Sequence, residues 1–200
     1  MGCHLIFNVQ LLLVFLTFFL FEVKTVEVEE LLFTYGVNVD DNKFQMIDVV
    51  YGDTKVDPGD QLSPDMTFLP PSVFWDANPF YKYYTLFLLD SNPVASEKLG
   101  SSNTQFVHWC VTNIIGNDVS SGTVLADYLP PLPPPGEFHN YIFLIYNHTY
   151  KKNCKILDRE FFNIEKYEQD CHLGSPVGYN YFKAGLSLQD VVPELESPPL

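Results

Sequence analysis

Four polar side chains spread along the chain are of types that can bind or transform a ligand. Asp90 follows an apolar run, His108 lies in an aromatic segment, and His139 precedes Tyr141 by two residues. Residues two apart in an extended segment share a face, so His139 and Tyr141 are expected on the same side of a strand. A carboxylate, two imidazoles and a phenol can together accept and donate hydrogen bonds to a ligand. Taken singly, each is more often a hydrogen-bonded structural residue.

Metal catalysis is a weaker interpretation of the same side chains. Asp90, His108 and His139 can ligate a divalent cation. However, the chain has no close His-x-x-x-His or Cys-x-x-Cys pair and no Gly-x-Ser-x-Gly nucleophile motif. The sequence therefore predicts a non-enzymatic role, with no catalytic residue, no resident metal and no cofactor.

The charge balance narrows the range of partners. The 200 residues include 25 acidic and 11 basic side chains, which gives a formal net charge of -14. Proteins that follow a nucleic-acid backbone carry a basic stripe, and anionic membranes attract basic segments. A soluble small ligand or a protein partner is therefore favoured over nucleic acid or a membrane surface.

The N-terminus has the features of a secretory signal. Residues 11–21 form an apolar run that is shorter than the roughly 20 residues of a transmembrane helix. Val23 and Thr25 fit the small-residue positions before a cleavage site near Val26. We predict a signal peptide over residues 1–25 and a secreted mature chain without stable membrane anchoring, an uncleaved anchor being the alternative. Secretion makes the sequon at Asn147 a predicted glycosylation site.

Secretion implies that cysteines of the mature chain can form disulfides. Once the signal is removed, Cys110, Cys154 and Cys171 remain, and an odd count in an oxidising compartment implies one bridge and one spare thiol. Cys110 lies in an apolar run, where a buried inert thiol is expected. We therefore predict a disulfide between Cys154 and Cys171, which flank a polar segment.

Short apolar runs that end at turn residues predict a chain made mainly of strands. The runs are near-continuous rather than alternating, which indicates burial on both faces. One helix is predicted from Asn163, a capping residue, to Cys171. A stiff proline-rich segment, 130–136, is predicted to connect sheets or to form the rim of a pocket. The predicted strands are 44–51, 82–89, 106–115 and 141–146.

The order of motifs resembles the phosphatidylethanolamine-binding protein family, also called the Raf kinase inhibitor protein family. The resemblance extends from about Phe44 to Leu195, and its strongest stretch is 108–125. The proline-rich segment follows, then residues 136–141, which look like the family's Gly-x-x-His-Arg-Tyr, and 173–178, which resemble its closing Leu-Gly-x-Pro-Val-Ala. The resemblance implies one domain over residues 26–200, with a core at about 44–195.

The resemblance also implies the fold and the site. The expected fold is an antiparallel β-sandwich with one or two peripheral helices and a small anion pocket at one end. The pocket would take a phosphorylated small molecule or the head group of a phospholipid such as phosphatidylethanolamine. The residues carried over to it are Asp90, His108, His139 and Tyr141, with Pro133 and Pro134 on the rim.

Two departures from the family pattern lie close to the expected pocket. The family's Asp-Pro-Asp-x-Pro is here 90–94, with Asn92 in place of the second Asp, and Asn140 replaces the Arg between the pocket His and Tyr. These departures leave open an alternative to anion binding. In that alternative the chain is a secreted inhibitor or modulator of proteases or signalling enzymes, which acts by protein contact while its pocket is degenerate.

Overall fold

The computed structural model describes residues 44–91, 104–156 and 158–187. The predicted signal peptide 1–25, Asn92 and the end of the predicted core up to Leu195 lie outside these ranges. No helix within them has the length and apolar character needed to cross a membrane.

Strands dominate the described chain, with a single α-helix near its end. A short 3-10 helix, Val119–Ser121, precedes β8. The helix α1 spans Ile164–Cys171. The strands are β1 Gln45–Met46, β2 Asp48–Tyr51, β3 Thr54–Lys55, β4 Asp60–Leu62, β5 Ser72–Phe74, β6 Tyr83–Asp90, β7 Phe106–Ile115, β8 Thr123–Ala126, β9 Phe138–His148 and β10 Gly178–Gly185.

The strands form two sheets. The larger has the order β1-β10-β9-β6-β7-β8, with β4 also paired to β10, and the smaller has the order β3-β2-β5. The pairs among β6 to β10 are antiparallel, as predicted, whereas β1 and β4 run parallel to β10. Both short strands pair with the same strand, β1 at its beginning and β4 further along, so together they cover that edge of the sheet.

The larger sheet is buried on both faces, which explains the near-continuous apolar runs. One face packs on the smaller sheet, where Val49 and Val73 join Leu86 and Phe143 in a common core. The other face is covered by the segment around α1, which contributes Ile164 to a second core. The prediction of strands buried on both faces is confirmed.

The predicted helix is confirmed, with its cap. The Asn163 side chain accepts a hydrogen bond from the backbone N–H of Lys166 at 2.7 Å, which satisfies one of the free donors of the first turn. Cys171 at the end of the helix forms a disulfide with Cys154, the predicted pair. Cys110 is a free, fully buried thiol.

The predicted strand 44–51 is wrong as a single element, because the structure divides it between β1 in the larger sheet and β2 in the smaller one. The other strands differ from the prediction mainly at polar ends. β7 has the predicted bounds, but β9 begins at Phe138 and extends to His148, beyond the predicted 141–146. Asn147 therefore lies inside β9 and pairs with Tyr84, rather than following the strand. The reason is that β9 has a neighbour on each side, β10 and β6, and their pairing keeps polar end residues extended.

Candidate functional site

The register of three adjacent strands brings the predicted residues to one end of the larger sheet. Asp90, the last residue of β6, pairs with Tyr141 of β9 on one side and with Phe106 of β7 on the other. His139 lies two residues before Tyr141 on the same face. Two strands that are far apart in sequence, β6 and β9, thus place an acid, an imidazole and a phenol side by side.

His108 reaches this end of the sheet through a β-bulge. Leu88 pairs with Trp109, but the next residue, Leu89, pairs with Val107, so His108 is an extra residue on β7. A bulge shifts the alternation of side chains along the strand that contains it. The imidazole of His108 consequently packs edge-on against the ring of Tyr141, with 5.1 Å between ring centroids.

These side chains line a cavity of about 370 Å³. All six residues that the resemblance assigned to the pocket contribute to its wall. Most of the remaining wall is apolar. The lining residues are Asp90, Phe106, His108, Leu129, Pro130, Leu132, Pro133, Pro134, His139, Tyr141, Glu160 and Phe161.

His139 is held between two carboxylates. Its Nδ1 lies 2.8 Å from Oδ2 of Asp90, and its Nε2 lies 3.2 Å from Oε2 of Glu137. Burial by itself disfavours the imidazolium, but hydrogen bonding to Asp90 and then to Glu137 outweighs it and raises the pKa of His139. Carboxylates only accept hydrogen bonds, so the geometry fits a ring with protons on both nitrogens.

His108 has the opposite character. Its Nδ1 lies 2.9 Å from the carbonyl oxygen of Leu129, which can only accept, so this nitrogen carries the proton of the neutral ring. Burial lowers the pKa of His108, and the hydrogen bond to Leu129 opposes this only in part. The neutral ring therefore offers an acceptor at Nε2, whereas His139 provides the positive charge.

Tyr141 supplies a protonated hydroxyl. Burial, and next the charge of Asp90, raise the pKa of Tyr141. Its ring also stacks on Phe182 with 5.3 Å between centroids, which fixes its orientation from the core side. The phenol can thus act as a neutral donor toward the cavity.

The segment before α1 closes one side of the cavity. Arg159 donates from Nη1 to the carbonyl oxygens of Asp127, Val107 and His108 at 2.8, 3.2 and 3.3 Å. Gln105 and Phe162 exchange two backbone hydrogen bonds nearby. These contacts hold the intervening Glu160 and Phe161 against the pocket.

The charge of the pocket is unusual for an anion site. Within the described part of the chain, neither lysine nor arginine lines the cavity, while Asp90 and Glu160 do. Among the described lining residues, the group that favours a positive charge is the His139 imidazole, whose pKa is raised by hydrogen bonding to Asp90 and Glu137 despite burial. In the same described residues, no group of three or more His, Cys, Asp and Glu side chains is arranged to hold a metal ion.

Several lining residues were not identified from the sequence. Glu137 contacts His139 from beside the cavity, and its position two residues before His139 is the sequence signal that could have identified it. Glu160 and Phe161 carry no such signal, since only the Arg159 contacts and the Gln105 pairing bring them to the cavity.

Two packed sheets with a cavity at one end define the chain as a β-sandwich protein, and a comparison with known protein families identifies the family. The sequence profile of the family described as phosphatidylethanolamine-binding protein matches residues 42–182. The chain belongs to the phosphatidylethanolamine-binding protein family.

One curated relative is similar to this chain over part of its length. The 26 kDa secreted antigen of Toxocara canis is 30% identical over 139 residues, 65% of this chain and 52% of the relative. The chain thus spans about half the length of that curated relative.

Two solved structures share the fold. The carboxypeptidase Y inhibitor, complexed with its cognate proteinase, matches with a TM-score of 0.59 at 21% identity over 70% of this chain and 83% of the inhibitor. The phosphatidylethanolamine-binding protein of Plasmodium falciparum matches with a TM-score of 0.57 at 18% identity over 80% and 95%.

Proposed function

We propose that the pocket binds a small organic phosphate with a positively charged end, such as the head group of phosphatidylethanolamine. The observation that carries the proposal is the arrangement of Asp90, His108, His139 and Tyr141 around one cavity, in which His139 contacts two carboxylates. The binding role is non-enzymatic, because binding needs none of these groups to act as a nucleophile, and Asp90, His108 and His139 already have hydrogen-bond partners.

Each part of such a ligand has a matching part of the wall. The phosphate accepts hydrogen bonds from the His139 imidazolium and from the Tyr141 hydroxyl, and the charged donor makes the stronger bond. The ammonium group finds carboxylates at Asp90 and Glu160. The aliphatic portion packs on the proline-rich wall, which includes Pro133 and Pro134.

Phosphorus-detected NMR titration with phosphorylethanolamine tests this function. We expect saturable binding by the wild-type protein and its loss in His139→Ala. Since His139 is buried, His139→Gln provides a second variant that retains hydrogen bonding but not the charge, with unfolding curves of both as folding controls. Undiminished affinity in folded variants of both kinds would refute the assigned pocket.

We also propose that the chain is secreted with residues 1–25 removed and a glycan at Asn147. The secreted antigen of Toxocara canis is a related protein, and Asn147 is only partly buried near the end of β9. Expression in insect cells, followed by N-terminal sequencing of the medium fraction, should give a chain that starts at Val26. Treatment with a glycosidase should reduce the apparent mass of the wild type and leave Asn147→Gln unchanged.

A second candidate function is inhibition of a protease or signalling enzyme by protein contact. It is favoured by the exposed apolar side chains Phe68 and Leu69, which are 65% and 70% accessible beside Pro70 and Pro71. Inhibition of carboxypeptidase Y activity provides a direct assay. Loss of inhibition in Phe68→Ser/Leu69→Ser, with full inhibition by His139→Ala, would support this function over the pocket.

A further inference from the structure

The contact between Glu137 and His139 has a consequence for ligand binding. An imidazolium has two N–H donors, and here both nitrogens face carboxylates, Asp90 at 2.8 Å and Glu137 at 3.2 Å. A phosphate oxygen can therefore accept from His139 only after one of the two carboxylates has moved away.

Glu137 is the partner that can move. The side chain of Asp90 is 7% exposed and belongs to a central strand, whereas that of Glu137 is 49% exposed. Glu137 also precedes the first residue of β9, in a turn where its N–H bonds to the carbonyl oxygen of Pro134 at 3.0 Å. Its carboxylate thus occupies the place beside Nε2 that an anionic ligand oxygen needs, and it can leave toward solvent.

We propose that Glu137 is a specificity-determining residue of the pocket, an internal competitor that must be displaced and that favours zwitterionic ligands over simple anions. This inference rests on the proposed function of the pocket. A bare phosphate expels Glu137 and leaves an unpaired carboxylate next to another negative charge. A ligand that also carries an ammonium group gives the displaced carboxylate a new partner, so the ion pair is exchanged rather than lost.

The charges around His139 strengthen the preference for zwitterionic ligands over simple anions. The titratable groups around the imidazole are Asp90, Glu137, His108 and Tyr141, and Glu160 lies on the same cavity wall. Burial keeps His108 neutral, so a phosphate that has displaced Glu137 meets no second cation among the described lining residues. Specificity here comes from a repulsive element as much as from an attractive one.

The test compares two ligands, inorganic phosphate and phosphorylethanolamine, in Glu137→Gln and in a matched control. Glutamine at 137 can still accept from Nε2, but as a neutral and therefore weaker competitor. Glu165→Gln removes the same charge from an exposed position on α1, outside the cavity wall and away from the His139 contact. Dissociation constants are measured by calorimetry at about pH 5.5, below the ordinary histidine pKa of about 6.5, because the contact with Asp90 that helps to raise the pKa of His139 is kept in both variants.

We expect Glu137→Gln to bind inorganic phosphate about tenfold more tightly, since the amide keeps the hydrogen bond from Nε2 but loses both the attraction to the imidazolium and the repulsion of the incoming anion. Its affinity for phosphorylethanolamine should change much less, so the preference for the zwitterion falls. Glu165→Gln should leave that preference at the wild-type value. An unchanged preference in Glu137→Gln, or equal changes in the two variants, would overturn the inference.

The outcomes separate this inference from the proposed function. If the wild type binds phosphorylethanolamine through His139 and Glu137→Gln has no effect on preference, only the role of Glu137 is wrong. If the wild type binds neither ligand but Glu137→Gln binds phosphate, the competitor is real and the proposed function is wrong. If no variant binds either ligand, both proposals are wrong.

Discussion

The buried pair of Asp90 and His139 gives a prediction that joins stability to the charge of the pocket. The perturbation is Asp90→Asn, which keeps a hydrogen-bond acceptor of the same size opposite Nδ1 and removes the negative charge. The wild-type bond is 2.8 Å long, between side chains that are 6% and 7% exposed, so solvent screens it little. The variant should therefore fold while losing the charged part of the interaction.

The magnitude follows from the types of bond involved. A hydrogen bond with a charged partner contributes about 1.5–3 kcal/mol and a neutral one about 0.5–1.5 kcal/mol. Asp90→Asn should thus lower the free energy of unfolding by about 1–2 kcal/mol at a pH where the wild-type His139 is protonated and burial favours the neutral ring in the variant. Because His139 is then less protonated, phosphorylethanolamine binding should also weaken near neutral pH. A loss of about 1.4 kcal/mol in binding free energy corresponds to a dissociation constant about tenfold higher.

The pH dependence of this loss has a definite sign. The pair raises the pKa of His139 in the folded protein above its ordinary value of about 6.5 in the unfolded chain. The extra stability is therefore fully present below about pH 6.5 and is lost as the pH rises through the higher folded value. The difference between wild type and Asp90→Asn should accordingly be larger in mild acid than in mild base.

Urea unfolding followed by tryptophan fluorescence measures this difference, because Trp75 and Trp109 are both buried. The control is Asp53→Asn, which removes the same charge from an exposed turn and should show no such pH dependence. A difference that stays constant from acid to base, or that grows with pH, would refute the assignment of a protonated His139 paired with Asp90.

Three further predictions concern other contacts. Burial raises the pKa of Glu168 to about 7 despite the bond from Tyr146, so wild-type stability should fall relative to Glu168→Gln from about pH 4.5 to 7. The full pKa shift corresponds to a change of about 3 kcal/mol in unfolding free energy, which the partial exposure of Glu168 reduces to about 1–2 kcal/mol. Urea titrations in which the stability difference between wild type and Glu168→Gln does not change with pH would contradict this prediction. Tyr141→Phe keeps the ring packing and loses the hydroxyl, so phosphorylethanolamine binding in the NMR titration should weaken about tenfold with little change in unfolding, and unchanged affinity would show that the hydroxyl is not used. Reduction of the disulfide, whose cysteines are 17 residues apart, should lower the unfolding free energy by about 3 kcal/mol, and Cys154→Ser should be insensitive to reductant.

The elements were largely predictable from local pattern. Asn163 caps α1 as its side chain predicts, and β7 has the predicted bounds, because capping and apolar runs between turns act over a few residues. The ends of β9 were not predictable, since pairing with two neighbouring strands keeps polar residues extended there.

The sequence alone determined which side chains were available for a pocket and the family to which the chain belongs. Only the tertiary structure decided how those side chains meet. A one-residue bulge turns His108 toward Tyr141, and burial makes it neutral while two carboxylates keep His139 charged. Register, burial and the interactions between charges depend on residues that are distant in sequence. The opposite pKa shifts of His108 and His139 therefore could not be predicted from the residues next to them in the chain.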